Sequence, residues 1–215
     1  IMFLAVTAMV VFWSVSQVAA SVCVDCHKKV TPGIVEQHES GAMSQAGIDC
    51  SVCHGDKHQK MDDAQLAAIP TPATCAKCHE EKVKQFNEGK HALAWIAVSA
   101  MPMFAHQPPQ VTGPGYKGCS GCHKIGAKTE AESKEYRYGS ANCDACHTRH
   151  KFSKEEAQDP RACMTCHMGF DHPQWEMWST SKHGVRYLLK QQGILPAESA
   201  APKCQTCHMQ GGNHE

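Results

Sequence analysis

The sequence has little from which to build an apolar core. Beyond residue 20, Leu, Ile, Val and Phe together supply 24 of 195 residues, about 12 % where roughly 20 % marks the level below which chains commonly stay disordered. Aromatics are sparse as well, at 7 % of the chain, and no run alternates apolar and polar residues over the length of a strand, which argues against a sandwich or barrel. Neither sign of charge is in excess: 21 basic residues face 21 acidic ones. With no basic surface to offer, the chain is not read as a nucleic-acid binder. A chain this poor in aliphatic side chains should not fold by burying them, so something other than side chains must form its core.

What it has in abundance is cysteine and histidine, 14 and 15 of them. The pattern Cys-x-x-Cys-His occurs seven times: Cys23, Cys26, His27; Cys50, Cys53, His54; Cys75, Cys78, His79; Cys119, Cys122, His123; Cys143, Cys146, His147; Cys163, Cys166, His167; and Cys204, Cys207, His208. These seven motifs use every cysteine in the chain. Zinc knuckles would pair off in twos and leave one over, and a disulfide framework gives no reason for a histidine after every second cysteine. The pattern is the attachment signature of haem c, whose two thioether bonds come from the cysteines and whose proximal ligand is the adjacent histidine. Seven haems then supply the flat apolar surface that aliphatic residues supply elsewhere. The expected fold class is mainly α with extensive irregular loops, a multihaem cytochrome c with a core built from covalently attached haems. Their propionates, uncounted in the charge balance, make the holoprotein net negative and favour a positively charged redox partner.

Residues 1–20 read as an export signal or amino-terminal membrane anchor: Ile1 to Val15 is apolar apart from Thr7 and Ser14, and Gln17 to Ser21 resembles a signal-peptidase site. The segment lacks an initiator methionine and a basic leading region, so the chain reads as beginning inside the signal. Residues 21–215 read as one multihaem cytochrome c domain, placed in the periplasm or otherwise outside the cytoplasm, where haem c is attached. Successive motifs are 27, 25, 44, 24, 20 and 41 residues apart. Short intervals force haems close together, as an electron relay needs. The two long intervals have room for helices, expected over Glu80 to Ser99 and Gln174 to Gln192. Inside them Phe86-x-x-Gly-Lys-His91 resembles Trp178-x-x-Ser-Lys-His183, a weak internal repeat that gives His91 and His183 the same expected role. Proline- and glycine-rich stretches at Ile69 to Thr74, Gln107 to Gly118 and Gly193 to Pro202 read as loops.

Eight histidines lie outside the motifs: His38, His58, His91, His106, His150, His172, His183 and His214. Low-spin electron-transfer haems need a sixth ligand, and imidazole is the obvious supply. By counting alone, either all seven haems are six-coordinate with one histidine spare, or one haem is open and two are spare. His38, His58, His91, His106, His150 and His183 are read as distal iron ligands given across motifs, because a histidine ligating its own haem from the far side must loop around the macrocycle.

The segments Gly115 to Gly126 (GYKGCSGCHKIG), Cys143 to His150 (CDACHTRH), Cys163 to Trp178 (CMTCHMGFDHPQWEMW) and Cys204 to His214 (CQTCHMQGGNH), with the order of the motifs, resemble the octahaem hydroxylamine oxidoreductase family over nearly all of the chain after residue 20. The resemblance implies that the fourth haem, on Cys119, Cys122 and His123, is catalytic with an open distal face, and that Asp171 and His172 match the family's distal Asp-His pair. They would be the catalytic residues, taking protons as electrons depart. It implies oxidation of hydroxylamine, or a related small nitrogen compound such as hydrazine, with electrons leaving through the other haems. The alternatives are the same site working as a nitrite or hydroxylamine reductase, or a non-enzymatic conduit in which His172 is one more distal ligand. The resemblance also implies a homo-oligomer, a trimer, with a cytochrome or a quinone-linked protein as redox partner. Family members carry an eighth haem and, in oxidising members, a cross-linking tyrosine beyond it. This sequence ends at Glu215 after seven motifs, so it reads as a fragment at both ends, with an eighth haem expected in the full-length protein and His214 reserved as a ligand of it. None of Tyr116, Tyr136, Tyr138 and Tyr187 stands where that tyrosine should.

Overall fold

The structure is a computed structural model that describes residues 14–112, 118–135, 137 and 141–215, with side chains from residue 22 onward. Most of the signal or anchor segment, and Tyr116, Tyr136 and Tyr138, lie outside the described residues. Helices and short helical turns dominate, joined by irregular chain. The one β-type pairing among the described residues is an isolated bridge between Ile125 and Ala141. Among those residues no helix is long and apolar enough to cross a membrane.

Contacts gather into two units, one of residues 1–70 with 149–152, the other of residues 71–148 with 153–215. In the first, α1 (Ser14–Val30) carries the first motif and packs on α2 (Pro32–Glu39) and on α3 (Cys50–His54). The break between α1 and α2 is local chemistry. Thr31 N–H closes onto the His27 carbonyl at 2.8 Å, and Pro32, which has no N–H to satisfy, opens the next helix. Asp49 caps α3, its carboxylate accepting from the backbone N–H groups of Ser51 and Val52. The short segment 149–152 joins this unit through His150 N–H, which donates to Gln37 Oε1 at 3.3 Å.

The second unit contains α4 (Pro72–Glu88), α5 (Ala94–Ser99), α6 (Cys119–His123), α7 (Arg161–Met164), α8 (Gln174–Thr180), α9 (Lys182–Gln191) and α10 (Cys204–Cys207). The two expected long helices are present but broken, and at corresponding places in the repeat. Gly89 (φ −83°, ψ 164°) ends α4 just before Lys90-His91, and Ser181 (φ −73°, ψ 165°) separates α8 from α9 just before Lys182-His183. One extended residue thus re-aims the chain ahead of each histidine. Trp175, Trp178 and Tyr187 hold the α8/α9 bend together, with ring centroids 5.3 and 5.5 Å apart. Trp178 Nε1, Arg186 Nε and Lys190 Nζ donate to the carbonyls of Pro202, Ala200 and Ser199. Those bonds fix the loop that leads into the last motif.

The side-chain core is small, as the composition requires. Among the described residues it consists of one cluster of Phe86, Ala92, Ile125 and Ala141 and another of Trp95 and Val98, with Val35 and Val83 apart. The first cluster is tied by backbone bonds from Trp95 N–H to the Ile125 carbonyl and from Ala127 N–H to the Ala92 carbonyl, both 3.0 Å. Gly126 sits between them at φ +101°, where a Cβ would run into the Ala92 carbonyl. Gly126→Ala is therefore expected to destabilise the holoprotein by about 1–3 kcal/mol, read as a lowered midpoint in thermal unfolding. A change within about 0.5 kcal/mol, the range usual for a neutral surface position, would show that this segment carries no packing load.

Candidate haem-ligand sites

Each Cys-x-x-Cys-His motif occupies a helical turn or its end. His147, His167 and His208 each donate their backbone N–H to the carbonyl of their motif's first cysteine, at 3.0, 2.9 and 3.0 Å. In a turn closed this way, residues three and four apart share a face. Both thiols and the imidazole are thereby presented to one side, which is what two thioether bonds and one axial bond to a single macrocycle demand. None of the fourteen cysteines is paired in a disulfide. Cysteines of different motifs in the second unit also lie near one another: Cys75 and Cys143, Cys163 and Cys204, and Cys122 and Cys166. The five motifs of the second unit thus approach one another, as closely spaced haems require.

The histidines outside the motifs give the strongest geometric signal. Five motif imidazoles face a non-motif imidazole: His27 and His58 at 6.0 Å between ring centroids, His54 and His150 at 6.0 Å, His167 and His91 at 6.1 Å, His123 and His172 at 5.9 Å, and His147 and His214 at 6.2 Å. The first two pairs lie in the first unit and the other three in the second. A metal–imidazole bond is about 2 Å and the ring centre lies about 1 Å beyond the nitrogen, so two imidazoles on opposite faces of one metal stand about 6 Å apart. All five pairs match that spacing. The residues present therefore fit haem c at these five places.

The second ring nitrogens support the fit. His27 Nδ1 bonds the Thr31 hydroxyl at 2.6 Å, and His54 and His214 direct Nδ1 at the carbonyls of Ala68 and Gly212, at 2.8 and 2.9 Å. His58 directs Nδ1 at the Asp63 carboxylate at 2.7 Å. His123 and His147 are hydrogen-bonded to the backbone at Ala94 and Ser153. With Nδ1 engaged, Nε2 of His27, His54, His58 and His214 is left to face across the gap, the arrangement that orients metal-bound histidines. Burial, reinforced by the partner imidazole, pushes the pKa of His91, His123, His147 and His150 below the ordinary histidine value. These rings are held neutral, the form that ligates a metal.

Of the six distal candidates read from the sequence, His58, His91 and His150 face a motif histidine and His38, His106 and His183 do not. His38 uses Nε2, the atom a ligand would need, to bond the Ile48 carbonyl at 2.9 Å. His106 ends a short turn over Pro102–Ala105, and His183 lies in the first turn of α9. His79 and His208 have no opposing imidazole at this spacing among the described residues. Asp171 and His172 sit in the loop between the sixth motif and α8. That loop is pinned by Trp175 N–H to the His167 carbonyl at 2.9 Å and by Gly169 N–H to Glu176 Oε1 at 3.0 Å. The His172 ring lies 5.9 Å from that of His123, in the fourth motif, with the two planes 66° apart. His214, reserved for an eighth haem on the sequence, instead stacks across from His147 with its ring tilted only 15°. The signal for it was Gly211-Gly212, whose φ values of +66° and +79° turn the chain back toward α4. There Lys82 Nζ donates to the Gly212 carbonyl at 2.8 Å, and His214 N–H donates to Gln85 Oε1 at 3.2 Å.

A cavity of about 450 Å³ bordered by Cys146, Thr148, Glu155, Arg161 and Thr165 lies beside the fifth motif, a volume in the range of cofactor pockets. Helical turns that present two thiols and an imidazole, imidazoles facing them at twice a ligand's reach, and a sparse side-chain core define a multihaem c-type cytochrome. The chain belongs to the family described as seven times multi-haem cytochrome CxxCH, matched over residues 19–214. It is 31 % identical to a probable nitrite reductase-hydroxylamine oxidoreductase fusion protein of Kuenenia stuttgartiensis, over 90 % of this chain and 26 % of that protein. It is 23 % identical to the multiheme cytochrome MtrA of Shewanella baltica (strain OS185), over 90 % of this chain and 67 % of that one. Among solved structures it is similar to a Kuenenia stuttgartiensis reducing HAO-like protein complex (31 % identity, TM-score 0.63, 90 % of this chain and 42 % of that chain). The fold is also shared with a hypothetical multiheme protein (24 % identity, TM-score 0.66, 94 % and 56 %). The chain thus spans about a quarter of the first relative and less than half of the first solved chain.

Proposed function

We propose that this chain is the electron-relaying haem part of a protein of the hydroxylamine oxidoreductase type, in which each of the seven motifs holds one haem c. His27/His58, His54/His150, His167/His91, His123/His172 and His147/His214 are its axial pairs, and His106 and His183 are the imidazoles available to the haems of His79 and His208. The single observation that carries this reading is the uniform 5.9–6.2 Å spacing of five imidazole pairs. Haem c, when bound, supplies one-electron exchange and a metal to which a small nitrogen compound can coordinate. What the chain's own residues supply is closure. At 5.9 Å, His123 and His172 would leave room for a metal between them and none for a substrate as well, which supports reading the fourth site as closed.

A second reading is favoured by the 31 % identity to relatives named for nitrite reductase, hydroxylamine oxidoreductase and HAO-like activity. In it the fourth site is the reactive one, His172 swings away from His123 to admit hydroxylamine, hydrazine or nitrite, and Asp171 with His172 handles protons in the oxidative or the reductive direction. The partners of either reading are a redox protein, a cytochrome or a quinone-linked protein, and further copies of the chain, outside the cytoplasm. A relative named as the multiheme cytochrome c subunit of a menaquinone reductase, from Nitratidesulfovibrio vulgaris (strain Hildenborough), 21 % identical, supports the quinone-linked option.

Intact mass and near-infrared magnetic circular dichroism on the oxidised holoprotein test the relay. A gain of seven haem masses and at least five low-spin bis-histidine haems are expected. Fewer than five low-spin haems would contradict the pairing.

A further inference from the structure

Six of the paired imidazoles have a defined hydrogen-bond partner. Five of those partners are neutral: the Thr31 hydroxyl and the backbone at Ala68, Gly212, Ala94 and Ser153. The sixth is a carboxylate. Asp63 Oδ1 lies 2.7 Å from His58 Nδ1, the distance of a charge-assisted bond. The carboxylate is fixed from other directions too, accepting the backbone N–H of Lys60 at 3.1 Å and that of Gln59 at 3.1 and 3.3 Å. The Lys60 ammonium turns to Asp62 at 3.2 Å, so it is not spent on Asp63. The side chains of His58 and Asp63 are 26 % and 15 % exposed, shielded enough for a fixed charge to be felt through the ring.

A carboxylate that draws the Nδ1 proton gives an imidazole imidazolate character and makes Nε2 a stronger donor. A stronger donor favours the more positive, oxidised metal over the reduced one, and axial ligation and hydrogen bonding of this kind are what set haem potentials. We infer that Asp63 is a tuning residue, whose carboxylate holds His58 in place and lowers the reduction potential of the haem bound by Cys23, Cys26 and His27. The inference rests on the proposed His27/His58 axial pair.

Asp63→Asn keeps the size of the side chain and an acceptor for Nδ1 while removing the charge. In a spectroelectrochemical titration of the holoprotein, one component should rise while the others keep their midpoints. The expected shift is about tenfold in the oxidised-to-reduced ratio, or 59 mV for one electron. An Asp63→Asn protein with its full haem mass and an unchanged titration, or one in which every component moves together, would overturn the assignment. If that variant does not accumulate with haem, the unmodified protein decides. One low-spin electron paramagnetic resonance signal with the contracted g spread of imidazolate ligation supports the inference, and a set of signals all of neutral bis-imidazole type overturns it. His58→Ala separates this from the parent reading. If it leaves the low-spin signals intact, the axial pair itself fails; if it opens one haem while Asp63→Asn shifts nothing, only the role of Asp63 fails.

Discussion

Produced without haem attachment, the chain should remain unfolded. Burying a large apolar side chain contributes about 1.5–3 kcal/mol, while ordering the backbone of each residue costs about 1–2 kcal/mol. The eight buried apolar residues of the described chain, two of them alanines, cannot order so long a polypeptide. Side chains that would join a core are instead exposed: Phe170 is 99 % accessible, and Met61, Met103 and Met177 are each more than 60 % accessible. Replacing both cysteines of every motif with serine, or expressing the chain where haem c is not attached, should abolish the helical circular dichroism signal and any cooperative thermal transition. A cooperative transition in the haem-free chain would show that the side chains suffice, and would remove the premise on which the compositional reading stands. Because each covalently held haem would contribute apolar surface to the core, loss of single haems should lower stability stepwise.

His172→Ala should convert the fourth site from closed to open. With the imidazole opposite His123 removed, one haem should become high-spin and the reduced protein should gain one carbon monoxide site. This substitution also separates the two functional readings, because they give opposite signs. If His172 is a closing ligand, its removal admits substrate and turnover of hydroxylamine or nitrite rises from a low basal level. If it is a general base beside an already open haem, the spin state stays as it was and turnover falls by roughly 10²- to 10⁴-fold. A variant unchanged in spin state, carbon monoxide binding and turnover would show that His172 serves neither role.

The Cys-x-x-Cys-His motifs and the multihaem family they define were legible in the sequence, because such a turn is a local object: two thiols and an imidazole on one face need no tertiary information. The weak repeat was legible too but the break in it was not: both intervals read as continuous helices, whereas Gly89 and Ser181 adopt the same extended conformation ahead of Lys90-His91 and Lys182-His183. The axial partners were legible only in part. Whether a distant histidine reaches a given site depends on where loops return, and spacing carries no such information. His150 joins residues 1–70 through Gln37, more than a hundred positions away in sequence. His214 reaches His147 because two left-handed glycines fold the end of the chain onto Lys82 and Gln85. His183 shared a local motif with His91 and was expected to share its role. The same kink was reproduced, but only His91 is met by a motif imidazole, since the kink sets a direction and the neighbour across the gap is set elsewhere. His172 was the hardest to read. The sequence left it either a proton-handling partner of Asp171 or one more distal ligand, and the 5.9 Å approach to His123 is the observation that bears on that choice.

The most direct measurement is the distance from His172 Nε2 to the metal of the haem on Cys119 and Cys122, in an experimental structure of the oxidised holoprotein. The axial-pair account predicts a bond of about 2.0–2.1 Å, collinear with that of His123 on the opposite face. A water, a substrate or an empty position on that face, with His172 displaced from it, would contradict the account and establish the fourth site as open.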